Sequence, residues 1–305
     1  MKKMKMALIM AIMLVLAACS TEAPGAKKDE ETKGGEGSYK IGFSISTLNN
    51  PFFVTLSEGA KEQAKEMDAT LTVIDAQDDA AKQASDVEDL IQQGVDLILI
   101  NPTDSSAVVA AVESANNAGI PVITVDRSSE GGDVVSHIAS DNKAGGELAG
   151  QFLAELVGDG AKVVELEGIA GSSAARDRGM GFNEIVKGKL DIVAKQTANF
   201  NRAEGLTVME NIMQANPDIK GVFAHNDEMA LGALEAIEAA GKEVKVVGFD
   251  ATDDAVKSVE AGKLAGTVAQ KPDLIGKKAV EAAVLSLKGE TVEASIPVEL
   301  ELIKK

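Results

Sequence analysis

The sequence predicts an α/β fold of two Rossmann-like lobes, each built on a parallel sheet. From Tyr39 onward, short apolar runs alternate with segments of helical pattern, which is the order of elements in doubly wound domains. The apolar runs are nearly continuous, as expected of parallel strands covered on both faces. The chain has 305 residues, 45% of them hydrophobic, which is enough for two domains with their own cores.

The first series of elements begins at Tyr39. Its predicted strands are KIGFSIS, TLTVID, DLILI and PVITVD. The helices between them are predicted over Pro51–Met67, Ala80–Gln93 and Ser105–Ala118. Pro51 suits the first turn of a helix, because that position needs no backbone N–H donor. A short connecting strand, VVSHIA, follows the series.

A second series starts after a break near Ala139–Asn142. Its helices are predicted over Lys143–Val157, Ala174–Lys187, Arg202–Ala215 and Glu228–Ala240. They lead to the predicted strands KVVEL, DIVAKQ, GVFAH and VKVVGF. Because the period breaks in the middle of the chain, two similar lobes are favoured, and an eight-fold barrel is the alternative.

The N-terminal residues predict a signal peptide over residues 1–18. MKKMK is a basic start, and the apolar stretch that follows is too short to span a bilayer as a mature helix. The tetrapeptide Leu16–Cys19 resembles the bacterial lipobox, in which the cysteine is acylated; the alternative is a plain signal peptide. Residues 19–38 are then a lipidated cysteine and a flexible tether, since residues 20–38 contain no Val, Ile, Leu, Met or aromatic residue.

Composition argues against several classes of function. The formal net charge of −18 repels phosphate backbones, so no nucleic-acid partner is predicted. Cys19 is the only cysteine, so neither a disulfide nor a thiol catalyst is expected. The two histidines, His137 and His225, have no ligand partner at useful spacing, so no metal is predicted. No cofactor is predicted either, because the sequence contains no P-loop or dinucleotide fingerprint.

Polar residues stand where the predicted strands end, and ligands of open parallel sheets bind beyond those ends. These residues are Asn49, Asn50, Asn101, Asp126, Arg127, Arg176, Arg178, Asn199, Arg202, Asn226, Asp227 and Asp250. A mixed site of balanced charge is predicted from Asn101, Asp126, Arg127, Arg178, Asn226, Asp250 and Gln270. Such a set suits a neutral polyhydroxylated ligand, because charged groups make the strongest hydrogen bonds to hydroxyls. For any single residue, a loop ion pair or a helix cap is the alternative.

The stretch STLNNPFF places two phenylalanines behind Pro51 at the end of a predicted strand. A sugar ring has an apolar C–H face that a flat aromatic ring covers without demanding hydrogen bonds. Phe52 and Phe53 therefore become candidates for a sugar-stacking wall, with Phe200 as the counterpart in the second half. The alternative is that Phe52 and Phe53 form a hydrophobic staple under the first helix.

Several long motifs resemble one family closely. They are STLNNPFF, LINPTDSSAV, IPVITVDR, VVSHIASDN, GIAGSSAARDRG, FAHNDEMALGALEA, VVGFDAT and TVAQKPDLIG. From about Tyr39 to the C-terminus they look like the D-ribose-binding proteins of bacterial ABC importers, a sugar-binding family related to the sensor domains of sugar repressors. The resemblance implies a type I periplasmic binding protein fold with a three-strand hinge.

The resemblance also implies lobe boundaries and sugar contacts. The chain is expected to cross between lobes near Ala139–Asp141, near Gln270–Lys271 and in the final IPVEL. The first lobe is then 39–140 plus 271–298, and the second is 141–270 plus 299–305. The implied sugar contacts are Asn50, Phe52, Phe53, Asn101, Asp126, Arg127, Arg178, Phe200, Asn226, Asp250 and Gln270. His225 departs from the family pattern, which has Gln there.

We therefore expect a monomeric lipoprotein on the outer face of the cell membrane that captures D-ribose and delivers it to an ABC permease. A binding protein for allose, xylose or a furanose signal molecule is one alternative. A transcription regulator is another, although the sequence before Tyr39 contains no helix-turn-helix pattern. An enzyme acting on carbohydrate is the third. It is disfavoured because arginines beside Asp126 and Asp250 are expected to keep both carboxyls ionised.

Overall fold

The computed structural model describes residues 38–305. The predictions for the signal peptide, for lipidation of Cys19 and for the tether before Ser38 lie outside the described residues. Within the described part of the chain, no helix is both long and apolar enough to cross a membrane.

The chain up to Ser140 alternates strands and helices. Its elements are β1 (Lys40–Ile45), α1 (Pro51–Glu66), β2 (Thr70–Asp75), α2 (Ala80–Gln92), β3 (Leu97–Ile100), α3 (Val109–Asn117), β4 (Val122–Val125) and β5 (Ser136–Ser140). Strands β3 and β4 are buried along their whole length, as the continuous apolar runs indicated.

The rest of the chain continues the alternation. Its elements are α4 (Asn142–Val157), β6 (Lys162–Glu167), α5 (Ser173–Val186), β7 (Asp191–Thr197), α6 (Arg202–Ala215), β8 (Gly221–Ala224), α7 (Asp227–Ala239), β9 (Lys245–Asp250), α8 (Asp253–Glu260), β10 (Gly266–Ala269), α9 (Pro272–Leu287), β11 (Ser295–Val298) and β12 (Glu301–Lys304).

The strands form two open six-stranded sheets. The order is β11-β5-β4-β3-β1-β2 in the first sheet and β12-β10-β9-β8-β6-β7 in the second. All pairs are parallel except β10 with β12. The predicted α/β class with two parallel-sheet lobes is therefore confirmed, and the barrel alternative is wrong because neither sheet closes on itself.

The chain passes between the two sheets three times. It leaves the first sheet after β5, returns between β10 and α9, and crosses again between β11 and β12. Helix α9 packs into the core of the first sheet, where Ile275 and Val280 join Phe43 and Leu56. Each lobe thus has a core of its own. The three segments that connect the lobes follow directly after β5, β10 and β11.

Some elements differ from the predicted ones. The helix expected from Ser105 begins at Val109, because Asp104 Oδ1 accepts hydrogen bonds from the backbone of Ser106 and Ala107 and holds a turn there. Helix α8 and strands β10 and β12 were not predicted. Strand β12 is only four residues long and pairs with β10, which lies about thirty residues earlier, so its formation depends on non-local contacts.

Candidate binding site

A small cavity lies between the two lobes, at the carboxyl ends of the strands. It is lined by Asn50, Phe52, Phe53, Asp126, Arg127, Ala174, Arg178, Phe200, Asn226, Asp250 and Gln270. Ten of the eleven residues proposed from the sequence are therefore in one place. The space among these side chains is small: about 240 Å³, part of it open to solvent, lies between the protein atoms. Such a cavity restricts the ligand to a small molecule.

The aromatic wall of the first lobe is set by the start of α1. Asn50 caps the helix, since its Oδ1 accepts a hydrogen bond of 2.9 Å from the N–H of Phe52. Pro51 occupies the first turn. Phe52 and Phe53 are both buried, with ring centroids 5.1 Å apart and ring planes at 85°. Both rings line the cavity and also pack in the core of the first lobe, so the wall is rigid.

Asp126 and Arg127 follow β4 in an unusual backbone conformation. Asp126 has φ +64°, a left-handed conformation that costs free energy for most residues and that Asp tolerates better than most. Its backbone is held by a 2.7 Å hydrogen bond from its N–H to the carbonyl of Ile138. The guanidinium of Arg127 lies between two rings, 5.0 Å from the centroid of Phe53 and 5.3 Å from that of Phe200.

Asn101 is the proposed residue that does not line the cavity. It lies one layer behind, where its Nδ2 donates to the carbonyl of Val125 at 3.0 Å and to Asp126 Oδ2 at 3.4 Å. Its Oδ1 accepts from the N–H of Ser46 at 3.1 Å. In this arrangement Asn101 orients Asp126 rather than facing the cavity itself.

Arg178 is held by the second lobe from two sides. Its Nε donates to Asn142 Oδ1 at 2.8 Å, and its Nη1 donates to the carbonyl of His225 at 2.7 Å. The guanidinium also stacks on Phe249, 3.8 Å from the ring centroid. These contacts fix the arginine beside Asp250, with Nη1 3.8 Å from Asp250 Oδ1.

Phe200 and Asp250 also have left-handed backbones, with φ +59° and +122°. Gln270 Nε2 donates to Asp250 Oδ1 at 2.8 Å. Asn226 caps α7 by accepting from the N–H of Met229, and its Nδ2 donates to the carbonyl of Phe200 at 3.3 Å. Three of the residues that line the cavity, Asp126 among them, thus have a strained backbone, as is common where a ligand is held.

Three buried polar atoms at the cavity have no hydrogen-bond partner among the described residues. They are Asp126 Oδ1, Arg127 Nε and Gln270 Oε1. Buried polar groups are nearly always paired, so these atoms indicate a ligand that both donates and accepts hydrogen bonds. A hydroxyl group does both.

Burial shifts the titration of the charged groups. Burial raises the pKa of Asp126, while Arg127 and Arg178 oppose the rise. Burial also raises the pKa of Asp250 well above its usual range, and Arg178 opposes this in turn. Burial lowers the pKa of Arg127 and of Arg178. The expectation that the arginines keep both carboxyls ionised stays a prediction. Arg127 and Arg178, with charge contacts of 3.8 Å, act against the effect of burial.

Two residues that help to form the binding site were not predicted from the sequence. Ala174 lines the cavity from α5, and a small apolar residue gives no sequence signal for such a role. Asn142 orients Arg178 from the first turn of α4, and its position just after a crossing segment was the available hint. Arg176, one of the strand-end residues, lies at the rim, where it pairs with Glu130 at 2.8 Å.

The fold and this cleft define a two-lobed binding protein. Residues 41–291 match the periplasmic binding protein domain, so the chain belongs to that family and is a solute-binding protein rather than an enzyme. The chain is 54% identical over 302 residues to the ribose import binding protein RbsB of Bacillus subtilis (strain 168), covering 99% of this chain and 99% of that protein. The predicted resemblance is therefore confirmed.

Solved structures agree with this family. An ABC transporter solute-binding protein from Mycobacterium smegmatis with bound glycerol has a TM-score of 0.85 at 38% identity, covering 88% of this chain and 94% of that one. A periplasmic solute-binding protein from Actinobacillus succinogenes with bound D-allose has a TM-score of 0.82 at 33% identity, covering 88% and 98%. The type I periplasmic binding protein fold is confirmed by these matches.

Proposed function

We propose that this chain captures D-ribose in the cavity between its lobes and delivers it to the permease of an ABC importer. The observation that carries the proposal is the convergence of three phenylalanine rings and three unpaired buried polar atoms on one small cavity. The name of the Bacillus subtilis relative, which aligns with nearly the whole chain, supports ribose as the sugar.

The chemistry of the cavity suits a pentose. The rings of Phe52, Phe53 and Phe200 cover the C–H faces of a sugar ring, while its hydroxyls donate to Asp126 Oδ1 and accept from Arg127 Nε. A hydroxyl that donates to a carboxylate stabilises the ionised form, so the bound sugar offsets the burial that raises the pKa of Asp126. A sugar lacking one of these hydroxyls leaves a buried group unpaired, at about 1–3 kcal/mol.

The proposed mechanism is closure of two lobes around the sugar. Arg127 comes from the first sheet, and Arg178 and Asp250 come from the second, so each lobe alone carries half of the site. Periplasmic binding proteins are standard examples of hinge closure, and a ligand shifts the population to the state it binds better. We propose the lobe boundaries 39–140 plus 271–298 and 141–270 plus 299–305, with the hinge at the three crossings.

We further propose that the mature protein is a monomer anchored to the outer face of the cell membrane by lipid on Cys19. The lipobox-like Leu16–Cys19 supports the lipid anchor, and the segment after it, which contains no Val, Ile, Leu, Met or aromatic residue, supports a tether. Labelling cells with radioactive palmitate tests it: the wild type should take up label and Cys19→Ser should not. Equal labelling of both proteins contradicts lipidation at Cys19.

Calorimetric titration of the soluble form beginning at Ser20 with D-ribose tests the sugar assignment. We expect saturable binding of one ribose per chain, and no heat of binding with a charged analogue such as ribose 5-phosphate, because the cavity has no unmatched cation for the phosphate. Absence of ribose binding contradicts the proposal.

Another monosaccharide is the second candidate, because the Actinobacillus succinogenes structure at 33% identity contains D-allose. A hexose needs room for one more CH₂OH group, and Phe52 and Phe53 from one lobe with Phe200 from the other leave little space for it. Thermal-shift screening against pentoses and hexoses decides between the two. We expect D-ribose to give the largest rise in melting temperature, and a larger rise with D-allose favours the second candidate.

A further inference from the structure

A buried polar pair, His225 and Glu165, lies behind the cavity in the second lobe. Both side chains are completely buried, and His225 Nε2 lies 3.0 Å from Glu165 Oε1. Asn183 Nδ2 donates to both oxygens of Glu165, at 3.1 and 2.9 Å. Lys195 Nζ, at the surface, lies 3.4 Å from Glu165 Oε2. Burying a carboxylate is costly even when it is paired.

The contacts define the state of the imidazole. The N–H of Gly168 donates to His225 Nδ1 at 3.4 Å, so Nδ1 is the acceptor and Nε2 carries the hydrogen that is donated to Glu165. Burial lowers the pKa of His225, which keeps the ring neutral. Burial acts to raise the pKa of Glu165, but hydrogen bonds from His225 and Asn183 outweigh it and the pKa is lowered. The pair is therefore a neutral imidazole donating to a carboxylate.

Two cavity residues adjoin His225 directly, and a third, Phe200, is connected to it through Gly168. Arg178 donates to its carbonyl at 2.7 Å. Asn226 is its neighbour in the chain and donates to the carbonyl of Phe200. Gly168, which donates to the imidazole, lies flat against the ring of Phe200, where a Cβ would overlap the ring. A displacement of His225 would therefore move the side chains of the second lobe that line the cavity.

Glu165 fixes the helix that carries Arg178. Gly179 follows Arg178 in α5, and a Cβ at Gly179 would lie 3.0 Å from Glu165 Oε1 and 3.2 Å from His225 Cε1. Asn183, one turn later in the same helix, makes the two hydrogen bonds to Glu165. The carboxylate therefore sets both the distance and the register of α5 against the sheet.

We propose that the His225–Glu165 pair positions Arg178 and Phe200 for the sugar, so that it contributes to affinity without touching the ligand. The identity of the ligand rests on the proposed function, whereas the state of the imidazole does not. Two measurements follow, one on ribose affinity and one on the imidazole itself.

The first measurement compares ribose affinity with thermal stability. His225→Leu leaves Glu165 and Gly168 without their partner, and we expect the dissociation constant for ribose to rise about tenfold or more. His225→Gln can still donate to Glu165, and its affinity should stay within about threefold of the wild type, less than the net effect of one hydrogen bond. Ile212→Ala, in the core of the same lobe, is the control: its melting temperature should fall and its ribose affinity should not change.

The outcomes separate the two proposals. If the wild type binds ribose and His225→Leu binds it equally well while only its melting temperature falls, the pair is merely structural and the inference is overturned. If His225→Leu does not fold, His225→Asn takes its place, since Asn can accept from Gly168 but is too short to reach Glu165. If the wild type does not bind ribose, the proposed function fails, and the variants are compared on the sugar that gives the largest thermal shift.

The second measurement needs no ligand. The chain has only two histidines, so nitrogen-15 NMR signals of His225 are assigned by comparison with His225→Gln. We expect the neutral tautomer with hydrogen on Nε2 at about pH 7.5, held by partners on both ring nitrogens. An imidazolium or a hydrogen on Nδ1 contradicts the pair geometry and overturns the inference.

Discussion

The two arginines of the cavity are equally buried but differently bonded. Among the described residues, the side chain of Arg127 makes one hydrogen bond, from Nη1 to the carbonyl of Pro102 at 3.3 Å, and its Nε has no hydrogen-bond partner. Arg178 makes two shorter bonds, to Asn142 and to the carbonyl of His225, and stacks closely on Phe249. The second lobe therefore satisfies its arginine internally, while the first lobe leaves its arginine for the ligand.

This difference assigns different tasks to the two halves of the site. An arginine held by two short hydrogen bonds and a close ring contact is pre-organised, so binding the sugar does not require ordering of its side chain. A buried arginine with a donor that lacks a partner is stabilised most by a hydroxyl group of the ligand, because an unpaired buried donor is unfavourable. We infer that the second lobe holds its donor groups in place before the sugar binds. The first lobe then contributes the larger part of the binding free energy when the lobes close. The predictions below test this division.

The largest effect is expected from Arg178→Ala. It removes a sugar contact, leaves Asn142 Oδ1 and the carbonyl of His225 without their donor, and removes the positive charge 3.8 Å from Asp250. Truncating one partner of a buried charged pair costs about 2–5 kcal/mol, so ribose affinity should fall at least about 30-fold. The melting temperature of the sugar-free protein should fall as well. Calorimetry and circular dichroism measure both, and an unchanged melting temperature contradicts the internal role of Arg178.

Arg127→Ala should separate affinity from stability. We expect ribose affinity to fall at least about tenfold, because the stacked guanidinium and its free Nε donor are lost. The melting temperature of the sugar-free protein should remain close to that of the wild type, since few protein contacts disappear. If both arginine variants lose stability equally, the proposed division between the lobes is wrong.

A third prediction concerns pH and Asp227, which supports the turn after Asp250. Asp227 accepts hydrogen bonds from Thr252 and Thr267, and burial raises its pKa to about 7. A pKa raised by folding contributes stability that is complete below the unfolded value and is lost as the pH rises through about 7. The melting temperature of the wild type should therefore fall as the pH rises from about 4 to about 7, and level off at higher pH.

Asp227→Asn removes this titration, so its melting temperature should depend less on pH. Some dependence should remain, because burial also raises the pKa of Asp250. Thermal denaturation of both proteins across this pH range, without sugar, makes the comparison. Equal slopes for the two proteins contradict a raised pKa at Asp227.

The smallest effect is expected at the rim. Glu130 and Arg176 form an ion pair of 2.8 Å between the lobes, with side chains 49% and 41% exposed. Exposed pairs contribute little and are screened by salt, so Glu130→Gln should weaken ribose binding by at most about threefold. The difference should disappear in high salt. A larger loss, comparable to that of Arg127→Ala, indicates that rim contacts rather than the cavity control closure.

Much of the site follows from the order of residues in the chain. Parallel strands bring their carboxyl ends to one edge of a sheet, so Asp126 could be placed at the edge of the first sheet, and Asn226 near Asp250 at the edge of the second, without coordinates. The phenylalanines were recognisable because STLNNPFF puts two large apolar side chains where polar ones are usual. These local signals account for the ten proposed residues that line the cavity.

The features of the site that could not be predicted depend on contacts between distant parts of the chain. Asn101 faces Asp126 rather than the cavity because β3 and β4 are neighbours in a fixed register. The direction of the carboxyl pKa shifts depends on burial and on charge distances of 3.8 Å, and neither quantity is encoded in spacing. Ala174 lines the cavity because α5 packs there, and alanine carries no chemical signal of its own.

The left-handed backbones of Asp126, Phe200 and Asp250 also constrain how this protein can diversify. Branched side chains are disfavoured at such positions, so most single substitutions there destabilise the loop before they alter the choice of sugar. Positions with ordinary backbone, such as Phe52 and Ala174, carry no such penalty. We therefore expect changes of sugar specificity to arise from substitutions at positions of ordinary backbone, while the residues with left-handed backbone remain unchanged.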